Sequence, residues 1–196
     1  MPAKITLSSC LTAYPQAALS VLLLLLVIIA ACHNNTNNQQ RPKTLQQTSA
    51  IAPDIARVEN LLKKGLLHQA NLALDSLLPK YPKEAQLHNL KGLTLARMDK
   101  LHEGLNELDQ AIALQPDVAE PYYNKALIWY KFQDKIKARQ FFDQALSLNP
   151  QYADAYYQRG VLNFQEFKKD SACLDWTRAV NFGYKDNLKY IQKYCN

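Results

Sequence analysis

The side chains of this chain best suited to chemistry are its histidines and cysteines, and their spacing does not build a catalytic site. His68, His88 and His102 show no metal-ligand spacing with acids or cysteines. The glycine-rich loop that cradles phosphate is missing, as is the Gly-x-Ser-x-Gly turn that lifts a nucleophilic serine. No metal and no cofactor are expected. An enzyme with an unrecognised site is the least favoured reading. Of the four cysteines, Cys10 precedes a long apolar run, Cys32 ends it, and Cys173 and Cys195 lie near the C-terminus. That leaves aromatic and amide side chains for recognition. Aromatic faces offer apolar area, and amides bond the backbone of an extended peptide.

These side chains must be positioned by a repeat. The same layout recurs every 34 residues, in blocks starting at Ile51, Ala85, Ala119 and Ala153. That period is the mark of a helix-turn-helix solenoid, which is a surface for holding other proteins. Gly92, Ala126 and Gly160 recur at one position. Ala70, Gly104, Ala138 and Ala172 recur at a second, and Ala111, Ala145 and Ala179 at a third. Small residues are needed where two helix axes cross closely. Leu74, Leu108, Phe142 and Trp176 fill the gap beside each crossing. Pro82, Pro116 and Pro150 close blocks, because proline cannot continue a helix.

The pattern resembles the tetratricopeptide repeat (TPR), which reads Trp-x2-Leu-Gly-x2-Tyr, then Ala-x3-Phe-x2-Ala, then Pro. The resemblance covers residues 51–186. Ala119–Tyr152 matches best, through Tyr122, Ala126, Trp129, Ala138, Phe142, Ala145 and Pro150. Ala153–Asp186 follows through Tyr156, Gly160, Ala172, Trp176 and Ala179, with Tyr184 where proline is expected. Ile51–Glu84 is weakest: Val58 takes the small position and Leu77 the last alanine position. The resemblance implies an all-α, right-handed helix-turn-helix superhelical solenoid with a C-terminal capping helix. Blocks span 51–84, 85–118, 119–152 and 153–186, and the cap spans 187–195. Seven helices are expected, two per block plus a last one. The family's leucine before the glycine is Lys91, Lys125 or Arg159 here. These side chains are expected to snorkel, with the stem on the apolar seam and the head in water. His88 takes the slot of the family's tryptophan and reads as a packing histidine.

Composition fits one globular domain plus a very apolar stretch: 196 residues, 48% hydrophobic and 20% charged. Only five glycines and little strand alternation argue for all-α. The net charge is +6, and the lysines are scattered. Such a balance can favour acidic partners or anionic lipid, and a solvated helical surface is the plainer reading. No nucleic-acid partner is expected.

The run Val21–Ala30 is short for a membrane span and suits the core of a secretory signal. It ends in Ile29-Ala30-Ala31-Cys32, which resembles the bacterial lipobox. The resemblance implies that residues 1–31 are removed and that Cys32 becomes an acylated, palmitate-type anchor, fixed by about 0.8 kcal/mol per buried methylene. The alternative is an uncleaved anchor helix through Ala17–Ala31. His33 follows where an inner-membrane protein would often carry aspartate, so the expected location is the outer membrane of a bacterial envelope, facing the periplasm. Residues 32–50, rich in Asn and Gln, read as a disordered tether of about 25 Å end-to-end.

In the family, the first helix of each repeat lines a concave groove. Carried onto this chain, the groove positions are Asn89, Leu93, Ala96 and Arg97; then Tyr123, Asn124, Leu127, Tyr130 and Lys131; then Tyr157, Gln158, Val161, Phe164 and Gln165. Tyr-Asn and Tyr-Gln pairs are expected to form an aromatic floor with amide edges, unless the tyrosines pack between helices. The family variant that clamps a C-terminal carboxylate is not expected, because Asn89 or Tyr123 and Gln158 stand at its key positions. The implied function is a protein-interaction scaffold holding an extended or helical partner segment. A peptidoglycan- or glycan-binding accessory is the alternative. The run around Cys173 with Tyr194-Cys195 resembles the terminal repeat of small exported repeat lipoproteins. An oxidising compartment permits a Cys173–Cys195 bridge; two reduced thiols are the other reading.

Overall fold

A computed structural model describes residues 43–184, 191 and 193–195. The chain divides into two units, Met1–Ile51 and Ala52–Asn196, and the second holds the helix pairs. The expected leader, the Cys32 anchor and residues 33–42 of the tether lie outside the described residues. Eight helices run among the described residues: α1 (Lys43–Lys63), α2 (Leu67–Leu77), α3 (Ala85–Arg97), α4 (Leu101–Leu114), α5 (Ala119–Lys131), α6 (Lys135–Leu148), α7 (Ala153–Gln165) and α8 (Lys169–Asn181). The expected count of seven is too low: two helices in each of the four blocks make eight before any cap. Most of the 187–195 cap falls outside the described residues. Ile191, Lys193 and Tyr194 are helical, and the Cys195 amide donates to the Ile191 carbonyl at 2.9 Å.

The first helix begins at Lys43, so the tether does not extend to residue 50 as expected. Residues 43–50 lack an apolar stripe but include Lys, Leu, two Gln and Ala, all sound helix formers. Adding residues to a helix already nucleated is cheap.

The pairs α3/α4, α5/α6 and α7/α8 pack closely, and each second helix then packs on the first helix of the next block. The recurring small residues explain the close approach. Ala70, Ala126, Ala138, Ala172, Ala111, Ala145 and Ala179 are all fully buried. A β-carbon on Gly92 would stand 2.6 Å from Cγ of Leu108, inside contact distance. Leu74, Leu108, Phe142 and Trp176 are buried beside the crossings, as the pattern requires. In the weakest block Val58 occupies the small position and is fully buried.

One turn is repeated four times. Gly65, Asp99, Gln133 and Phe167, 34 residues apart, all hold a left-handed backbone, with φ of 72°, 65°, 62° and 60°. The next amide reaches back five residues to the helix end: Lys100 to the Leu95 carbonyl at 2.9 Å, Asp134 to Trp129 at 3.0 Å and Lys168 to Asn163 at 3.0 Å. This is the Schellman closure, which satisfies carbonyls that a helix end leaves free. Glycine holds it without strain and aspartate tolerates it. A phenylalanine there costs roughly 1–2 kcal/mol.

Candidate functional site

The first helices of consecutive blocks are tied side by side by bonds spanning 35 residues. The Asn124 amide donates to Asn89 Oδ1 at 2.8 Å. The Arg97 guanidinium donates to the Leu62 carbonyl at 3.1 Å, and the Lys131 ammonium to the Ala96 carbonyl at 2.8 Å. Gln165 donates to the Tyr130 hydroxyl. The Gln158 side chain bonds the Tyr123 phenol. Arg97 and Lys131 thus reach the C-terminal turn of the preceding first helix, where a cation is favoured by the helix dipole. Together α1, α3, α5 and α7 form one continuous face.

Several residues expected to form the open floor of that face instead hold it together. Asn89 and Asn124 are buried against each other. Tyr123 is half-buried, 6.0 Å from the Phe142 ring and 5.0 Å from that of Tyr152. Burial pushes its phenol pKa well above the ordinary range, and nearby Asp154 adds to the effect. Tyr157 stacks on Tyr184 at 4.4 Å. Phe164 packs against Trp176 at 5.5 Å and against Tyr194 of the cap at 4.9 Å. The aromatic floor is therefore largely interhelix packing. Residues 35 apart, not 34, meet across the seam, so transferring positions by the repeat alone cannot separate wall from seam.

Two stripes remain on the face. Leu93, Leu127 and Val161 are half-buried at one repeat position. Arg97, Lys131 and Gln165, four residues further on, are exposed at another. Positions i and i+4 share a helix face, so an apolar stripe runs beside a polar one across α3, α5 and α7. Half-buried Tyr130 and exposed Phe164 lie between them in sequence.

On the other seam, the basic residues at the family's leucine position do not snorkel. Lys91 bonds Asp75 and, at 2.8 Å, Asn71. Lys125 pairs with Asp109. Arg159 bonds Asp143 at 2.6 Å and Asp175 at 2.9 and 2.7 Å. Their heads are mostly covered; the pairs with Asp75, Asp109 and Asp143 join a first helix to the second helix of the block before, while Asp175 ties Arg159 to the second helix of its own block. Burial works against the Arg159 charge, but its bonds to Asp175 and Asp143 outweigh it and hold the guanidinium pKa above its ordinary value. Asp75, Asp109 and Asp143 themselves recur every 34 residues. That signal was available in the sequence and was missed.

His88 bonds Glu107 at 2.8 Å and the Pro82 carbonyl at 3.1 Å, while His68 and His102 are exposed. Among the described residues, no three His, Cys, Asp or Glu side chains gather to hold a metal ion. Cys173 and Cys195 are disulfide-bonded, with Cα atoms 5.5 Å apart. The bridge ties α8 to the segment carrying Tyr194. Removing a loop closure of this size costs about 3 kcal/mol in the chain-entropy model. Cys173→Ser with Cys195→Ser is expected to lower the melting temperature, and thiol titration of the unreduced chain should find neither cysteine free.

Residues 119–152 match the family model described as tetratricopeptide repeat. This is the segment of α5 and α6 with the connections that close the block. The domain is built of tetratricopeptide repeats. Solved structures of the TPR fold agree in shape. PilF of Pseudomonas aeruginosa superposes with a TM-score of 0.64 at 18% identity, covering 72% of this chain and 64% of that one. MamA from Desulfovibrio magneticus RS-1 gives 0.56 at 19% identity, over 69% and 77%. The first TPR of Spaghetti (RPAP3) gives 0.53 at 20% identity, over 57% and 90%. No curated protein matches the chain.

Proposed function

We propose that this TPR domain is a lipid-anchored scaffold of a bacterial envelope that holds a segment of a partner protein on the face formed by its first helices. The observation that carries the reading is the pair of stripes, Leu93–Leu127–Val161 beside Arg97–Lys131–Gln165, continuous over three helices. An apolar side of the segment would cover the first stripe and its carboxylates or carbonyls would meet the second. The Spaghetti domain is described with an HSP90 peptide, SRMEEVD, bound, which supports peptide holding as a use of this fold. With Tyr123 and Tyr157 engaged in packing, a glycan has few free rings to stack on, and the protein partner is favoured.

Leu127→Glu with Val161→Glu is expected to weaken partner binding at least about tenfold, the effect of 1.4 kcal/mol, while circular dichroism stays unchanged. Binding that survives both changes sinks the groove reading. The anchor half of the proposal rests on Ile29-Ala30-Ala31-Cys32. Mass spectrometry of the mature N-terminus should find an acylated Cys32; an intact Met1 contradicts it.

A further inference from the structure

The end of the domain that carries the turn within each block differs from the opposite end. Across 63–69, 97–103, 131–137 and 165–171, Lys and Arg outnumber Asp and Glu nine to five. Across the opposite connections, 78–86, 112–120 and 146–154, acids outnumber bases four to two. Two apolar side chains stand out from the basic end. Phe167 is 96% exposed and Ile136 is 74% exposed. Lys168 and Lys169 follow the first, and Lys135 and Lys137 flank the second. Phe167 also occupies the left-handed turn position that Gly65 holds in the first block. Neither burial nor backbone preference accounts for a phenylalanine there, and strain kept at a surface position points to use.

We propose that this end docks on an anionic lipid surface, with Phe167 and Ile136 entering the headgroup layer and the flanking lysines meeting lipid phosphates. Single apolar tips, one on a turn and one at the start of a helix in the block before, suit insertion between headgroups. A protein interface instead needs a clustered apolar centre. Lysines beside such tips are attracted to anionic leaflets and supply the orientation. The reading rests on the envelope proposal only for which membrane is met.

The test places the full chain in vesicles of phosphatidylcholine with brominated acyl chains, made with or without phosphatidylglycerol. Phe167→Trp adds an exposed reporter, and the unsubstituted chain gives the background of Trp129 and Trp176. The added emission should be quenched in phosphatidylglycerol vesicles and spared in neutral ones. Lys168→Gln with Lys169→Gln should return quenching to the neutral level. No added quenching with phosphatidylglycerol, or equal quenching in both vesicles, overturns the proposal. So does quenching that the lysine changes leave intact. Flotation of the chain with either vesicle reports the anchor separately, so failure of docking and failure of anchoring are distinguishable.

Discussion

Gly160→Leu is expected to unfold the last block and lower the melting temperature of the domain. A β-carbon alone at this position would lie 2.6 Å from Cδ1 and Nε1 of Trp176 and 3.3 Å from the Ala172 carbonyl. Trp176 is buried and has Phe164 and Tyr194 packed on it, so it has little freedom to move aside. Overpacking a fixed core costs about 1–3 kcal/mol, more when backbone must shift. In a domain of this size each kcal/mol lowers Tm by about 2–4 °C. Because the cap contacts pass through Trp176, loss of near-ultraviolet signal from its ring should accompany the shift. A melting curve matching the unsubstituted chain would show that α7 and α8 do not cross here as described.

Asp175→Ala should do comparable damage through charge. Asp175 is 3% exposed. It accepts two bonds from Arg159, at 2.9 and 2.7 Å, and one from Asn163 at 2.9 Å. Removing it leaves Arg159 with Asp143 alone and strips Asn163 of a buried acceptor. Breaking a buried pair from one side costs about 3–5 kcal/mol, because the surviving charge stays desolvated. The comparison is Asp109→Ala, whose carboxylate pairs with Lys125 across the seam between two earlier blocks. Its carboxylate is more than half exposed to water, so the loss should stay within about 1 kcal/mol. Equal effects of the two substitutions would contradict the assigned burial.

The core was legible in the sequence because small residues and their fillers recur with a fixed period. Gly92, Leu108, Phe142 and Trp176 occupy the interior for reasons visible in one dimension. The seams were harder to read. Asn89 and Asn124 pair across 35 residues, an offset set by how far one helix slides along the next. The repeated left-handed turn was hidden for a different reason. Gly65 advertises it, but Gln133 and Phe167 hold the same backbone with side chains that favour no such turn. Lys91, Lys125 and Arg159 recur at one position, and a row of cations on an apolar seam with no partner in view suggests snorkelling. Read together with Asp75, Asp109 and Asp143, they form a ladder between blocks. The tyrosines misled because aromatic side chains serve packing and recognition equally well, and only the neighbours Tyr152, Tyr184 and Phe142 decide between them.

The central claim is that the face of the first helices holds a partner segment. Site-specific photocrosslinking in intact cells tests it most directly, with the reactive group placed at Leu127 on that face or at Leu72 on a second helix, where the side chain is exposed. The account predicts one discrete crosslinked protein from position 127, lost with Val161→Glu, and none from position 72. Equal crosslinking from both positions, or a product only from position 72, would contradict it.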